Sequence, residues 1–221
     1  MGSSLASLLV LAAVAIFLIL RLRSVLGTRE GFEKPRASAP AGESSVNARR
    51  GFEVIDGGPD HDITENVEDG SRAATSLAAM KRIEPDFSVT EFLSGARGAY
   101  EMILMAFEGD NLDSVSTFLS EDVYEAFQSV VDARQDKGLK VDAQFLGLRE
   151  IQIIDADLDR SDNEAEIKIR FVAELISVVR NSDGDIVEGD EKVAKRQKDI
   201  WTFGRVMGSD DPNWQLVATG A

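Results

Sequence analysis

The chain has 221 residues, no cysteine, one histidine and a formal net charge of −15. Without cysteine it forms no disulfide framework, no thiolate metal site and no cysteine nucleophile. The charge is uneven: residues 1–50 carry seven basic side chains against three acidic, residues 51–85 three against eight, and residues 86–221 fourteen against twenty-eight. A folded part this acidic argues against nucleic-acid partners, which require basic surface to displace counterions.

The first predicted element is a membrane anchor. Leu5 to Leu20, "LASLLVLAAVAIFLIL", contains no charge, glycine or proline. With Gly2–Ser4 it reaches about 19 residues, close to the ~20 that cross a bilayer as a helix. A cleaved signal peptide would have a basic start and a small-x-small site, and neither is present. Arg21, Arg23 and Arg29 flank the run on its C-terminal side, so the positive-inside rule leaves the rest of the chain in the cytoplasm. Residues 1–29 are therefore expected to be a single-pass anchor. Residues 30–85 read as a largely disordered linker, because Pro, Ala, Gly, Ser and charges are mixed there without apolar periodicity. The lone His61 falls in it and is assigned no role, and Ser71–Pro85 could form a short docking helix.

From residue 86 the pattern is that of a folded domain. Ser88 can cap a helix with Glu91 three positions on. Phe92, Ala96, Ala99, Tyr100, Ile103 and Phe107 then form one apolar stripe, which Gly109-Asp110 ends. "NLDSVSTFL" predicts a second, short helix. Ser120 opens a third, with Val123, Phe127, Val130 and Val131 inward and Gly138 closing it. The period then changes to two. "AQFLGLREIQIIDADL" predicts a strand, and in "EAEIKIRFVAELISVVR" Ile167, Ile169, Phe171, Ala173, Leu175 and Val179 share one face. After the turn "NSDGD", "VAKRQKDIWTFGRV" and "NWQLVAT" predict a third and a fourth strand. Helices first and antiparallel strands after is the α+β order, with helices on one face of a curved four-stranded sheet.

Catalytic chemistry finds little support. Tyr100 and Glu101 are adjacent, so on a helix their side chains point about 100° apart and cannot share a site. Tyr100 on the apolar stripe is better read as core with a satisfied hydroxyl. Glu101 and Glu108 read as a solvated face or a salt-bridge rim. In "DADLDRSDNEAE", Asp155, Asp157, Asp159 and Glu166 match calcium-loop positions, but Arg160 occupies the place that must be glycine. An acidic turn is the better account, and no metal or cofactor is expected.

"GAYEMILMAFEGD", "FLSEDVYEAF" and the ending "DIWTFGRVMGSDDPNWQLVAT" resemble the C-terminal domain of the inner-membrane translocase subunit 44 family, in particular its bacterial, membrane-anchored members. The anchor "AVAIFLILRLRSVLG" is similar to their N-terminus. The resemblance implies a nuclear-transport-factor-2-like cone and a membrane-tethered adaptor at the bacterial inner membrane, whose partners are membrane lipid and proteins such as translocation machinery or a chaperone. The long charged region with which the mitochondrial relative engages its chaperone is absent here. Protein or lipid binding is thus the part that carries over.

Trp201, Phe203 and Trp214 are expected to face the helices bearing Phe92, Tyr100, Phe107 and Phe127, with Ile103 on the same stripe. They would form either a plain core or an apolar pocket at the mouth of the cone. A small-molecule enzyme or ligand carrier on the same fold is the alternative function. The floor separates the two: an enzyme would set a buried Asp, Glu or Tyr against a second polar group, whereas an adaptor would show apolar walls.

Overall fold

A computed structural model describes residues 60–220. The expected anchor, residues 1–29 with Leu5, Leu20, Arg21 and Arg23, lies outside the described residues, as do residues 30–59 of the expected linker. Among the described residues no helix is long and apolar enough to cross a membrane.

Capping fixes where the helices begin. Asp60 caps α1 (His61–Thr64), and Ser71 caps α2 (Arg72–Ile83) by accepting from the Ala74 amide at 3.1 Å. Ser88 caps α3 (Val89–Glu108) through the Glu91 amide at 3.2 Å, and Ser120 caps α4 (Glu121–Asp136) through Val123 at 3.3 Å. Each satisfies a first-turn N–H that has no partner within the helix. Gly109 ends α3, and Asp110 follows in the left-handed region at φ 54°. The short helix expected next is a 3-10 helix, Leu112–Phe118.

Residues 60–85 differ from the expected linker. They hold α1 and α2 joined by turns, and α2 lies within the segment Ser71–Pro85 expected as a short docking helix. It packs on the first strand with Leu77 and Met80 fully buried, so the compact unit begins upstream of Asp86.

The sheet is antiparallel throughout, with β1 (Lys140–Leu158), β2 (Glu164–Arg180), β3 (Ile186–Gly189), β4 (Lys195–Val206) and β5 (Gln215–Gly220). The order is β1-β2-β4-β5, and β3 also pairs with β2. Five strands replace the expected four because the third lane is broken. Gly189, at φ 89°, lets the chain leave β2, and Asp190 turns it by accepting from the Lys192 amide at 2.8 Å. Register shifts near Phe145/Gly147, Leu148/Glu150 and Ile153/Asp155 bend β1.

The core lies between α3 and the sheet. Ile167, Ile169, Phe171 and Ala173 of β2, Trp201 and Phe203 of β4 and Leu216 of β5 are buried with Phe92, Ala96, Tyr100 and Ile103. Each large apolar side chain removed from water in this way contributes about 1.5–3 kcal/mol. Two inward assignments fail. Val130 is exposed on α4, and at the end of β2 Val178 is buried while Val179 is only half-buried.

Candidate functional site

The seven residues expected to line a pocket fall at three levels along α3. At its start Phe92 packs on Trp214 (ring centroids 4.7 Å apart), on Phe203 (6.2 Å) and on Phe87 (6.3 Å). Midway, Tyr100 stacks on Phe171 at 4.4 Å and 16°, with Trp201 at 4.7 Å. One turn on, Ile103 is fully buried, and near the C-terminus Phe107 packs on Phe127 at 4.7 Å. Phe92, Tyr100, Ile103, Trp201 and Phe203 are buried, while Phe107 and Trp214 are partly buried at the two ends. A cleft of about 670 Å³ between Thr64–Ala73 and β1, and one of about 440 Å³ between Met105, Gly109 and the Val141–Gln144 end of β1, take no wall from these seven.

Polar groups enter at the middle and far levels. The Tyr100 hydroxyl donates to Asp199 Oδ2 at 2.5 Å, and Gln197 Nε2 donates to the same oxygen at 2.9 Å. Burial, and after it the Asp199 carboxylate, pushes the Tyr100 phenol up, so it stays protonated as the donor. Asp199 and Gln197 went unnoticed in the sequence, yet a signal was there. Counting back by two from the inward Phe203 and Trp201 reaches Asp199 and then Gln197.

Beyond Tyr100, Arg134 of α4 closes the end of α3. Its guanidinium lies 4.3 Å over the Phe107 ring and donates to the Phe107 carbonyl at 3.1 Å. It also approaches Glu108 at 3.8 Å and Asp110 at 3.7 Å. Burial pushes the Glu108 carboxyl up, Arg134 opposes this, and Asp110 and Asp199 add to it. Asp110 Oδ1 is buried without a hydrogen bond. Glu108 is thus part of a salt-bridge rim, while Glu101 faces solvent.

The opposite end of α3 is tied by ions. Asp62 of α1 accepts from the Val89 amide at 2.7 Å, the Thr90 amide at 2.9 Å and the Ser88 hydroxyl at 3.2 Å, and meets Lys81 at 2.7 Å. Burial acts to raise its carboxyl but is outweighed by Lys81, Thr90 and the Val89 amide, which hold it well below the usual carboxylate range. Nearby, Arg205 pairs with Glu84 and lies 5.3 Å over Trp214. Of the acidic stretch expected as a turn, Asp155 and Asp157 lie on β1 and Glu166 on β2; only residues 159–163 turn, where Asp159 accepts from Ser161, and among the described residues no acidic or histidine group is arranged to hold a metal ion.

A family model, the Tim44-like domain, matches residues 73–221, which take in α2, α3, α4 and the whole sheet. The chain belongs to the Tim44-like domain family. It is 25% identical over 149 residues to the mitochondrial import inner membrane translocase subunit TIM44 of Homo sapiens, covering 66% of this chain and 32% of the human protein. It is 23% identical over 184 residues to subunit TIM44-1 of Arabidopsis thaliana, covering 79% of this chain and 38% of that one. The chain thus spans about a third of the length of these curated relatives. The intermembrane space region of the chloroplast protein ARC6 is 10% identical at a TM-score of 0.40, covering 58% of this chain and 94% of that one, a likeness too remote to define the fold.

Within the Tim44-like domain the polar groups mainly satisfy one another. Tyr100 and Gln197 are both committed to Asp199, while Arg134 alone faces both Glu108 and Asp110. Through Asp199 the aromatic stack on α3 is joined to β4.

Proposed function

We propose that the chain is a non-enzymatic adaptor at the bacterial inner membrane, tethered by residues 5–20 with its Tim44-like domain in the cytoplasm, and that it binds proteins of the translocation machinery or membrane lipid. The observation that carries this reading is the family match over residues 73–221, together with relatives that are subunits of an import translocase. The nuclear-transport-factor-2-like cone belongs to the same reading. It is supported by helices on one face of an antiparallel sheet whose first strand is bent by bulges. The apolar residues Phe92, Tyr100, Ile103, Phe107, Trp201, Phe203 and Trp214 would then serve a partner's acyl chain or apolar side chain from the two partly buried ends, Trp214 and Phe107.

One observation favours the alternative, a small-molecule enzyme or ligand carrier: a buried tyrosine does stand against a second polar group, Asp199. The adaptor reading is preferred because the groups beside Asp199 are hydrogen-bonded to it.

Native mass spectrometry of the full chain extracted from its own membranes tests the choice. An adaptor is recovered with protein or lipid and without a stoichiometric metabolite. A metabolite that is retained by the wild type and lost from Tyr100→Phe would establish the alternative. Carbonate extraction tests the tether, and release into the supernatant would overturn it.

A further inference from the structure

One edge of the sheet is open over the broken third lane. β1 covers one side of β2 as far as Arg180, while the other side carries β4 from Glu164 to Leu175 and then β3 from Val178 to Arg180. β5 in turn covers β4 only from Ile200 to Gly204. Among the described residues, therefore, no strand pairs with the far side of β3 or of Lys195–Asp199. Such an edge presents unpaired N–H and C=O groups and templates another strand.

Its charges are sorted by sign. Asp183, Asp185, Glu188, Asp190 and Glu191 come first, and Lys192, Lys195, Arg196 and Lys198 follow. Asp142 and Glu191 pair with Arg180, and Arg196 pairs with Glu174 at 3.3 Å. By contrast, the side chains of Asp185, Glu188, Lys195 and Lys198 make no hydrogen bond or ion pair among the described residues. The same stretch holds three of the eight exposed large apolar side chains of the described residues: Ile186 (45% exposed), Val187 (56%) and Val193 (52%).

We infer that this edge is a homodimer interface in which the occupant is a second copy of the chain, laid antiparallel. Asp185 and Glu188 are separated by the same interval as Lys195 and Lys198, and the midpoint of the four falls between Glu191 and Lys192. A two-fold axis through that midpoint sets Glu188 against the partner's Lys195 and Asp185 against the partner's Lys198, and repeats both pairs by symmetry. This is an isologous, self-complementary contact that closes at two copies. A partner segment of one sign would match half the edge and be repelled by the other half. Salt screens the general repulsion between two acidic domains within about 8 Å at physiological ionic strength, whereas the paired side chains meet in contact.

The absence of cysteine makes the test direct. In the full chain in its own membranes, Val193→Cys, beside the axis, should give a covalent dimer on mild oxidation. Asp162→Cys, in the turn at the other end of β2, should not. Adding Asp185→Lys with Glu188→Lys, or Lys195→Glu with Lys198→Glu, should each lower the dimer yield about tenfold through like-charge contacts. Co-expressing the two charge variants under different tags should restore a mixed dimer, which also shows that both fold. Equal yields from the two cysteines, charge variants with unchanged yield, failure of the mixed pair to recover, or crosslinking of Val193→Cys to a different protein would each overturn the interface.

Discussion

The two ends of α3 are fixed by opposite chemistry. At the N-terminus a carboxylate from a separate helix, Asp62, receives two amides, a hydroxyl and the Lys81 ammonium, and is held strongly in its charged form. At the C-terminus Glu108 is pushed toward its neutral form by burial, with a single cation, Arg134, placed among Glu108, Asp110 and the Phe107 carbonyl. Between them Tyr100 joins an aromatic stack to Asp199. Free N–H groups and the helix dipole favour an anion at the first end, and the same dipole disfavours one at the second. The N-terminal end is accordingly a clamp that protonation loosens, whereas at the C-terminal end it is ionisation that costs stability.

The largest expected effect comes from opening the clamp. Asp62→Ala should lower stability by about 2–3 kcal/mol, the worth of charge-assisted hydrogen bonds to helix amides together with a partly buried ion pair. Denaturant melts of the two proteins at neutral pH measure it. Because the folded-state carboxyl lies below its unfolded value, the stabilisation is present above the ordinary carboxylate range and is lost as pH falls toward the folded value. The difference between the proteins should therefore shrink on acidification. A constant difference from neutral to acid pH would mean that Asp62 acts by packing alone.

A smaller effect is expected midway. Tyr100→Phe keeps the ring stacked on Phe171 but leaves Asp199 with Gln197 as its remaining side-chain donor. The loss should be about 1 kcal/mol, because Asp199 is only half-buried and water can take the vacated place. A loss as large as that of Asp62→Ala would erase the distinction between a clamp at one end and a looser polar cluster beyond it.

These contacts also mark how far the sequence could be read. The Ser88 cap with Glu91 three residues on, the Phe92–Phe107 stripe and the alternation of β2 from Ala165 to Phe171 are local patterns, and each is found where periodicity puts it. Asp62 was not legible because it caps a helix that begins 27 residues later, and such a cap leaves no short-range signature. The broken third lane was missed for a different reason. The turn signal at Asp183-Gly184 is genuine, with Gly184 at φ 88°, but a second punctuation at Gly189-Asp190 follows within six residues and sets β3 apart from β4. The partnership of Tyr100 with Asp199 lay between the two cases. Each residue sits at a legible inward position, but their meeting across 99 residues is a tertiary fact.

The smallest effect distinguishes the two ends most sharply, because its sign is opposite to that at Asp62. Glu108 has a folded-state carboxyl above its ordinary value, so the folded protein binds a proton more readily there than the unfolded chain does. Stability from this group is therefore undiminished below the ordinary carboxylate range. It declines as pH rises from that range through the raised value, and above it the full cost of holding a charge in a half-buried place is present. Glu108→Gln removes the titration while keeping the shape and a hydrogen-bonding end. The variant should match the wild type in acid and melt at a higher temperature at neutral pH, read by thermal unfolding across a pH series. If it melted lower at neutral pH, the attraction of Arg134 would outweigh burial and the repulsion of Asp110 and Asp199. Both ends of α3 would then be clamps of the same kind.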